Sequence, residues 1–300
     1  MKRKVTNRLG LPRPIVHAVQ NDPYNPGTGQ YTITQLLEPA RAAELSKNAE
    51  VVEDAADLLY SMQGQVMHLI LERAGDELKE EGYIVEKRFY GVFSIPGFMF
   101  NVSAQVDLFD PISGIVSDYK YTSVASSKYG LKEDHRLQLN FQAELLRRAG
   151  FKVEGAEVVL LLRDWSAERV YEGYPKSPVL KQNVPLMTSE EIIAWTVGRI
   201  QAHESAKVEL PLCTTSERWN RPTFATMKPG AIKATRVFDD LASANAFIAA
   251  KAPSDLVVVE RPGVDVRCMR YCPARSVCSQ AKELLQSVPV LDEDGFTKVS

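Results

Sequence analysis

Ser103–Thr122 reads SAQVDLFDPISGIVSDYKYT, two alternating runs broken by Pro111-Ile112-Ser113-Gly114. A strand places successive side chains on opposite faces, so the alternation and the turn residues together specify a β-hairpin. A symmetric hairpin centred between Ile112 and Ser113 sets Asp107 directly across from Asp118. Lys120 then shares their face, opposite Gln105, while Val106, Leu108, Ile115 and Tyr119 face away. Two like charges facing each other across a strand pair repel. A divalent cation between them would offset that repulsion, with Lys120 beside it. The competing reading is an exposed polar face on a two-stranded ribbon, where Asp and Lys are ordinary.

Outward from the hairpin, YIVEKRFYGVFSI and FMFNVSAQVDLFD read as two preceding strands separated by Pro96-Gly97. HRLQLNFQAELLRRAG follows as a helix with Leu137, Phe141 and Leu145 on one face and Gly150 as its stop. AEVVLLLRDW is a near-continuous apolar run, the pattern of a strand covered on both faces. A long helix begins at a Thr188-x-x-Glu191 capping box, and Thr32 or Thr34 is placed to cap a short helix upstream. Between them, 50–74 is predicted to be helical throughout. Val52, Ala55, Leu59, Met62, Val66 and Ile70 form its apolar stripe, and Gly64, His68 and Glu72 lie opposite. On the residues alone, His68 is a solvated surface histidine.

The order of elements predicts an α/β protein with a central mixed sheet flanked by helices. Residues 1–30, rich in Pro, Asn and Gly, read as an irregular arm, 31–205 as the core, 206–285 as a cysteine-bearing appendage and 286–300 as a tail. The appendage contains LASANAFIAAK as a helix and DLVVVE as a strand. The chain is long enough to bury a sizeable core without covalent staples. Its composition, 45% hydrophobic and 25% charged, is that of a globular protein. A net charge of −2 gives no global pull on nucleic acid, so an anionic partner needs a local patch. MKRKVTNRLGLPRP lacks the apolar run of a secretory signal, and no stretch approaches the roughly 18 apolar residues of a membrane span. The expected location is cytoplasmic.

All four cysteines lie after the core: Cys213, then Cys268-x3-Cys272-x5-Cys278. In a reducing compartment, clustered thiols favour a metal or cluster over disulfides. Zinc knuckles use paired short spacings, whereas this set is three plus one. Arg261, Arg267, Arg270 and Arg275 surround the thiols, and Lys120, Lys128, Lys132 and Arg136 follow the hairpin, two candidate phosphate-binding patches.

Asp107 with Asp118-Tyr119-Lys120 resembles the core of the PD-(D/E)XK nuclease superfamily. Gly64–His68 (GQVMH) resembles the Gly-x-x-x-His helix of its RecB-like branch, and Gln138 the glutamine of the following Gln-x-x-x-Tyr motif. The cysteines resemble the iron–sulfur subset of that branch, which includes the AddB nuclease domain and CRISPR-associated RecB-like exonucleases. The resemblance implies a restriction-endonuclease-like fold and hydrolysis of DNA, as an exonuclease on single-stranded or end-containing substrates, beside a recombination or helicase partner. It implies Mg²⁺ or Mn²⁺ on His68, Asp107, Asp118 and the Tyr119 carbonyl, Lys120 at the water or transition state, and Gln138 positioning the site. It implies a structural [4Fe–4S] cluster on Cys213, Cys268, Cys272 and Cys278, with Zn²⁺ the alternative. Glu72 and, behind it, Glu86 are weaker candidates. Ala104 stands where the family usually has Gly, Gln142 where it has Tyr, and related iron–sulfur nucleases often carry one cysteine before the core. A non-catalytic DNA-binding or assembly module, or a zinc-stabilised interaction protein, is the competing function.

Overall fold

In the computed structural model, which describes residues 2–21, 27–169, 171 and 173–286, the expected hairpin lies inside a six-stranded mixed sheet. The tail expected at 286–300 lies, apart from Gln286, outside the described residues. In chain order the elements begin β1 (Lys2–Thr6), α1 (Arg13–Gln20), β2 (Tyr31–Thr32), α2 (Ile33–Leu37), α3 (Ala40–Ser46), β3 (Glu50–Asp54) and α4 (Leu59–Gly75). Three strands follow, β4 (Ile84–Ile95), β5 (Phe98–Asp110) and β6 (Ile115–Thr122), then α5 (Val124–Ser127) and α6 (Glu133–Arg148). β7 (Gly155–Leu162), β8 (Val179–Val184) and α7 (Ser189–Ala206) come next. The last stretch holds β9 (Thr223–Met227), β10 (Arg236–Phe238), α8 (Leu241–Ala250), β11 (Val257–Arg261) and α9 (Ser279–Gln286). The described residues form two compact units, one within 2–38 and 50–208, the other within 39–49 and 209–286.

In the larger unit the β5–β6 register is the one the sequence implies: Leu108 pairs with Ser117, Phe109 with Val116 and Asp110 with Ile115. The turn closes because Asp110 Oδ1 accepts from the Ile112 amide at 2.8 Å and Gly114 adopts φ +70°, open to glycine at little cost. β6 runs parallel to β7, with α5 and α6 in the crossover, and β7 pairs antiparallel with β8. β7 is thus internal, and Ala156, Val158, Leu160 and Leu162 are buried. α6 is enclosed on both sides. Leu139, Ala143 and Leu146 pack with Val106, Phe109, Val116 and Val158, while Phe141 and Leu145 pack with Leu36, Phe93, Ile192 and Ile200. Capping boxes start α2 at Thr32 with Gln35 and α7 at Thr188 with Glu191.

Two expectations change. The arm read as irregular contains β1 and α1, because β1 pairs in parallel with β3, a non-local partnership that leaves no local signal. The helix read over 50–74 is a strand to Asp54 and a helix only from Leu59. Asp54 marks the break: Oδ2 accepts from Thr6 Oγ1 and the Arg8 amide, and Oδ1 from the Ala56 amide. The stripe is not the buried face either. Val52, Val66 and Ile70 are exposed, and α4 turns His68 toward the sheet instead. The helix can end close to β4 because residue 75 is glycine; a Cβ there would lie 2.5 Å from Val85 Cγ1.

In the smaller unit β9 is the middle strand of an antiparallel sheet in the order β10-β9-β11, with α8 against it. Both α8 and β11 fall where the sequence places them.

Candidate active site

The β5–β6 ladder stops at Leu108–Ser117, one rung short of the two aspartates. The next rung is replaced by a side chain: Asp107 Oδ2 accepts from the Tyr119 amide at 3.0 Å. A strand residue sends its N–H and C=O to the same edge, so the Tyr119 carbonyl is directed toward β5 as well. Asp107 and Asp118 are both buried, at 7% and 1% exposure. Asp118 Oδ1 accepts from Gln138 Nε2 at 2.7 Å, which fixes its carboxylate to α6. Asp118 Oδ2 is buried and forms an ion pair with Lys120 Nζ at 2.7 Å.

From the other side, α4 and β4 supply His68 and Glu86. His68 Nδ1 is 2.8 Å from Glu86 Oε1 and 3.8 Å from Asp107 Oδ2. One ligand atom from each of His68, Glu86 and Asp107 lies within 4.8 Å of the others. Gln105 Nε2 donates to Glu86 Oε2 at 2.6 Å and is itself held through Arg88. Glu86 has φ +48°, unusual for a residue with a side chain, and interrupts the β4–β5 ladder opposite Asp107. Strained backbone of this kind concentrates where a side chain has a task.

The charges follow from burial and crowding. Burial, then the neighbouring Asp118, push the Asp107 carboxyl up to about 7. The hydrogen bond that His68 makes to Glu86 raises its pKa above the ordinary value against the pull of burial. Burial also works against the Lys120 charge, but Asp118 and Asp107 outweigh it and hold its pKa above the usual lysine range. Burial and Lys120 push His135 down to about 4, so that imidazole is neutral at physiological pH. A cavity of about 200 Å³ opens beside Lys120, lined among others by Ser126, Lys132, His135 and Gln182.

His68, Asp107, Asp118, Lys120 and Gln138 therefore come together, with the Tyr119 backbone among them. Glu86, ranked last by sequence, is at the centre, and Glu72 stays exposed on α4. The Pro96–Gly97 turn held the signal for Glu86: the register it sets between β4 and β5 puts position 86 across from 107. Gln142, at the family's tyrosine position, donates to the Gln105 carbonyl at 2.7 Å and supports β5. The basic patch after the hairpin does not form as a unit, since Arg136 binds Glu133 and Lys128 lies over Tyr171.

The donor set suits a hard divalent cation. Two carboxylates and an imidazole converge, a third carboxylate, Asp118, is buried beside Asp107, and Asp107 is reluctant to ionise without a compensating charge.

In the smaller unit no disulfide joins the four cysteines, and the other three thiols act electrostatically on Cys213. Burial, Glu217 and the other three thiols push Cys213 up to about 12. The buried Arg41 of α3 donates from Nε to Cys278 Sγ at 3.2 Å and from Nη2 to Ser279 Oγ at 2.8 Å. The Gln280 side chain bonds both the amide and the carbonyl of Cys213. The four cysteines share one neighbourhood, and thiolate sulfur is a donor type that zinc and iron–sulfur clusters take.

A central mixed sheet with helices on its faces, presenting two aspartates and a lysine from adjacent strands, defines a restriction-endonuclease-like protein. The sequence profile of the PD-(D/E)XK nuclease superfamily matches residues 15–279, and the chain belongs to that superfamily. Among solved structures, one titled "Crystal structure of SSO0001" is similar at 16% identity and a TM-score of 0.39, over 62% of this chain and 81% of that one. No curated protein matches this chain. Among the described residues, no helix is long and apolar enough to cross a membrane.

Proposed function

We propose that the chain is a metal-dependent deoxyribonuclease of the RecB-like branch, an exonuclease acting in the cytoplasm on single-stranded or end-containing DNA. Residues 31–205 are its nuclease core and 206–285 its cluster-bearing section. The observation that carries the reading is the convergence of His68, Glu86 and Asp107 ligand atoms within 4.8 Å, with the buried Asp118 close enough to raise the Asp107 pKa. His68, Asp107, Asp118 and the Tyr119 carbonyl would hold Mg²⁺ or Mn²⁺. When bound, that ion supplies Lewis acidity and lowers the pKa of water to make a nucleophile.

The chain's own groups do the rest. Lys120, kept charged by Asp118 and Asp107, orients the attacking water and meets negative charge developing on the scissile phosphate. Gln138 fixes the rotamer of Asp118, and Glu86 fixes the ring of His68. The cavity beside Lys120 gives room for the nucleotide next to the scissile bond. Cys213, Cys268, Cys272 and Cys278 would hold a structural [4Fe–4S] cluster, the three-plus-one arrangement setting it apart from a zinc knuckle. A helicase or recombination factor would supply unwound ends.

The test is cleavage of end-labelled single- and double-stranded DNA with Mn²⁺ by the parent, Asp118→Ala and Lys120→Ala. Loss of cutting in both variants, with folding retained, is expected. Variants that cut like the parent refute the site.

A further inference from the structure

Directly after Cys213, residues Thr214–Asn220 form a single helical turn. Thr214 and Glu217 bond each other's amides as a capping box at its start. At its end the Trp219 amide donates to the Ser216 carbonyl at 2.9 Å and the Asn220 amide to the Thr215 carbonyl at 3.1 Å. These two bonds are a Schellman close, whose left-handed position is normally glycine. Here it is tryptophan, at φ +56°. A large side chain is unfavourable in that conformation, and burial does not repay it: Trp219 is 40% exposed.

What the position achieves is presentation. The Trp219 ring lies 5.5 Å from that of Tyr271, itself 62% exposed, and the Arg267 guanidinium sits 4.9 Å from the indole. The backbone beneath is braced: the Arg218 carbonyl accepts from the Arg267 amide, and Arg218 Nε bonds Asp265 Oδ1 at 2.7 Å. Arg270 and Arg275 add exposed positive charge on the same short segment as Tyr271. Two exposed aromatic rings on a rigid mount, ringed by arginines, match unpaired nucleobases and the phosphates between them. Bases in a duplex are already stacked and present no open face.

We propose that Trp219 and Tyr271 form a stacking platform for single-stranded nucleic acid, with Arg270 and Arg275 on its backbone. The proposal rests on the reading that the chain handles nucleic acid, but not on the cutting site. The glycine-for-tryptophan trade gives it a sharp test. Trp219→Gly relieves the backbone and removes the ring. It is expected to melt at or above the parent's temperature while binding a fluorescein-labelled single-stranded 15-mer about 5- to 150-fold more weakly in EDTA, the range for one lost base stack. Trp219→Phe should retain most of the affinity, and Tyr271→Ala should lose it as Trp219→Gly does.

Salt separates stacking from charge. Trp219→Gly should leave the slope of log K against log salt unchanged, whereas Arg270→Ala should reduce it by about one phosphate's worth. A parent that binds the single strand no better than the same duplex overturns the proposal, as does parental affinity in Trp219→Gly. Binding losses in these variants with unaltered cutting by Asp118→Ala would leave the platform standing and remove the cutting site instead.

Discussion

Replacing Asp107 with asparagine should stabilise the metal-free protein, by an amount that grows as pH rises from the unfolded carboxyl's range toward the folded one. Burial and the adjacent Asp118 move the Asp107 carboxyl from 3.8 to about 7 in the folded state. A carboxyl whose folded pKa is raised contributes stability that is complete below its unfolded pKa, near 4, and is lost as pH rises through the folded value. The displacement, with the pairing to Lys120 and His68 already in it, corresponds to about 4 kcal/mol at pH 8. Asparagine keeps the acceptor for the Tyr119 amide and removes the charge. In EDTA, thermal unfolding of Asp107→Asn should exceed the parent by on the order of 5–10 °C at pH 8. The gain should shrink toward pH 5. With Mn²⁺ the order should invert, because the parent gains a ligand that asparagine cannot replace. An equal shift at both pH values, or a loss at pH 8, would refute the electrostatic reading of the site.

Glu86→Gln removes the carboxylate that orients His68 and should weaken Mn²⁺ binding by about 10–100-fold in titration calorimetry, with melting little changed; parental affinity would make Glu86 a bystander. Phe141→Ala removes a fully buried ring from α6 and should cost about 3–5 kcal/mol in denaturant unfolding, whereas a loss under about 1 kcal/mol would mean α6 is not the central packing element. Anaerobically purified protein should be brown, absorbing near about 400 nm, and Cys278→Ser should bleach it; zinc alone in the metal analysis would rule out the iron–sulfur cluster.

The parts of this structure that were legible in the sequence are those with local causes. The β5–β6 register follows from alternation and a turn that Asp110 and Gly114 can close, and the starts of α2 and α7 from side chains that cap their own amides. The β7 strand was legible because a run covered on both faces has no reason to alternate. What stayed hidden depends on distant partners. β3 looks helical until β1 is beside it, since Val52 and Ala55 suit either spacing. The face of α4 was misjudged because apolar periodicity assumes that packing orients a helix. Here His68 meets Glu86 and Asp107, and Val66 and Ile70 are left in water. Glu86 was within reach of the same register logic, since the Pro96–Gly97 turn sets it across from Asp107, but its positive φ has no residue-type signal.

The most direct test of the site is a crystal soaked in Mn²⁺, with anomalous difference maps computed around β5 and β6. One peak bounded by His68, Asp107 and Asp118 at ordinary Mn–ligand distances, with Lys120 beside it, is the expected result. Full manganese occupancy elsewhere, with the space between those three side chains empty, would contradict the assignment of the active site.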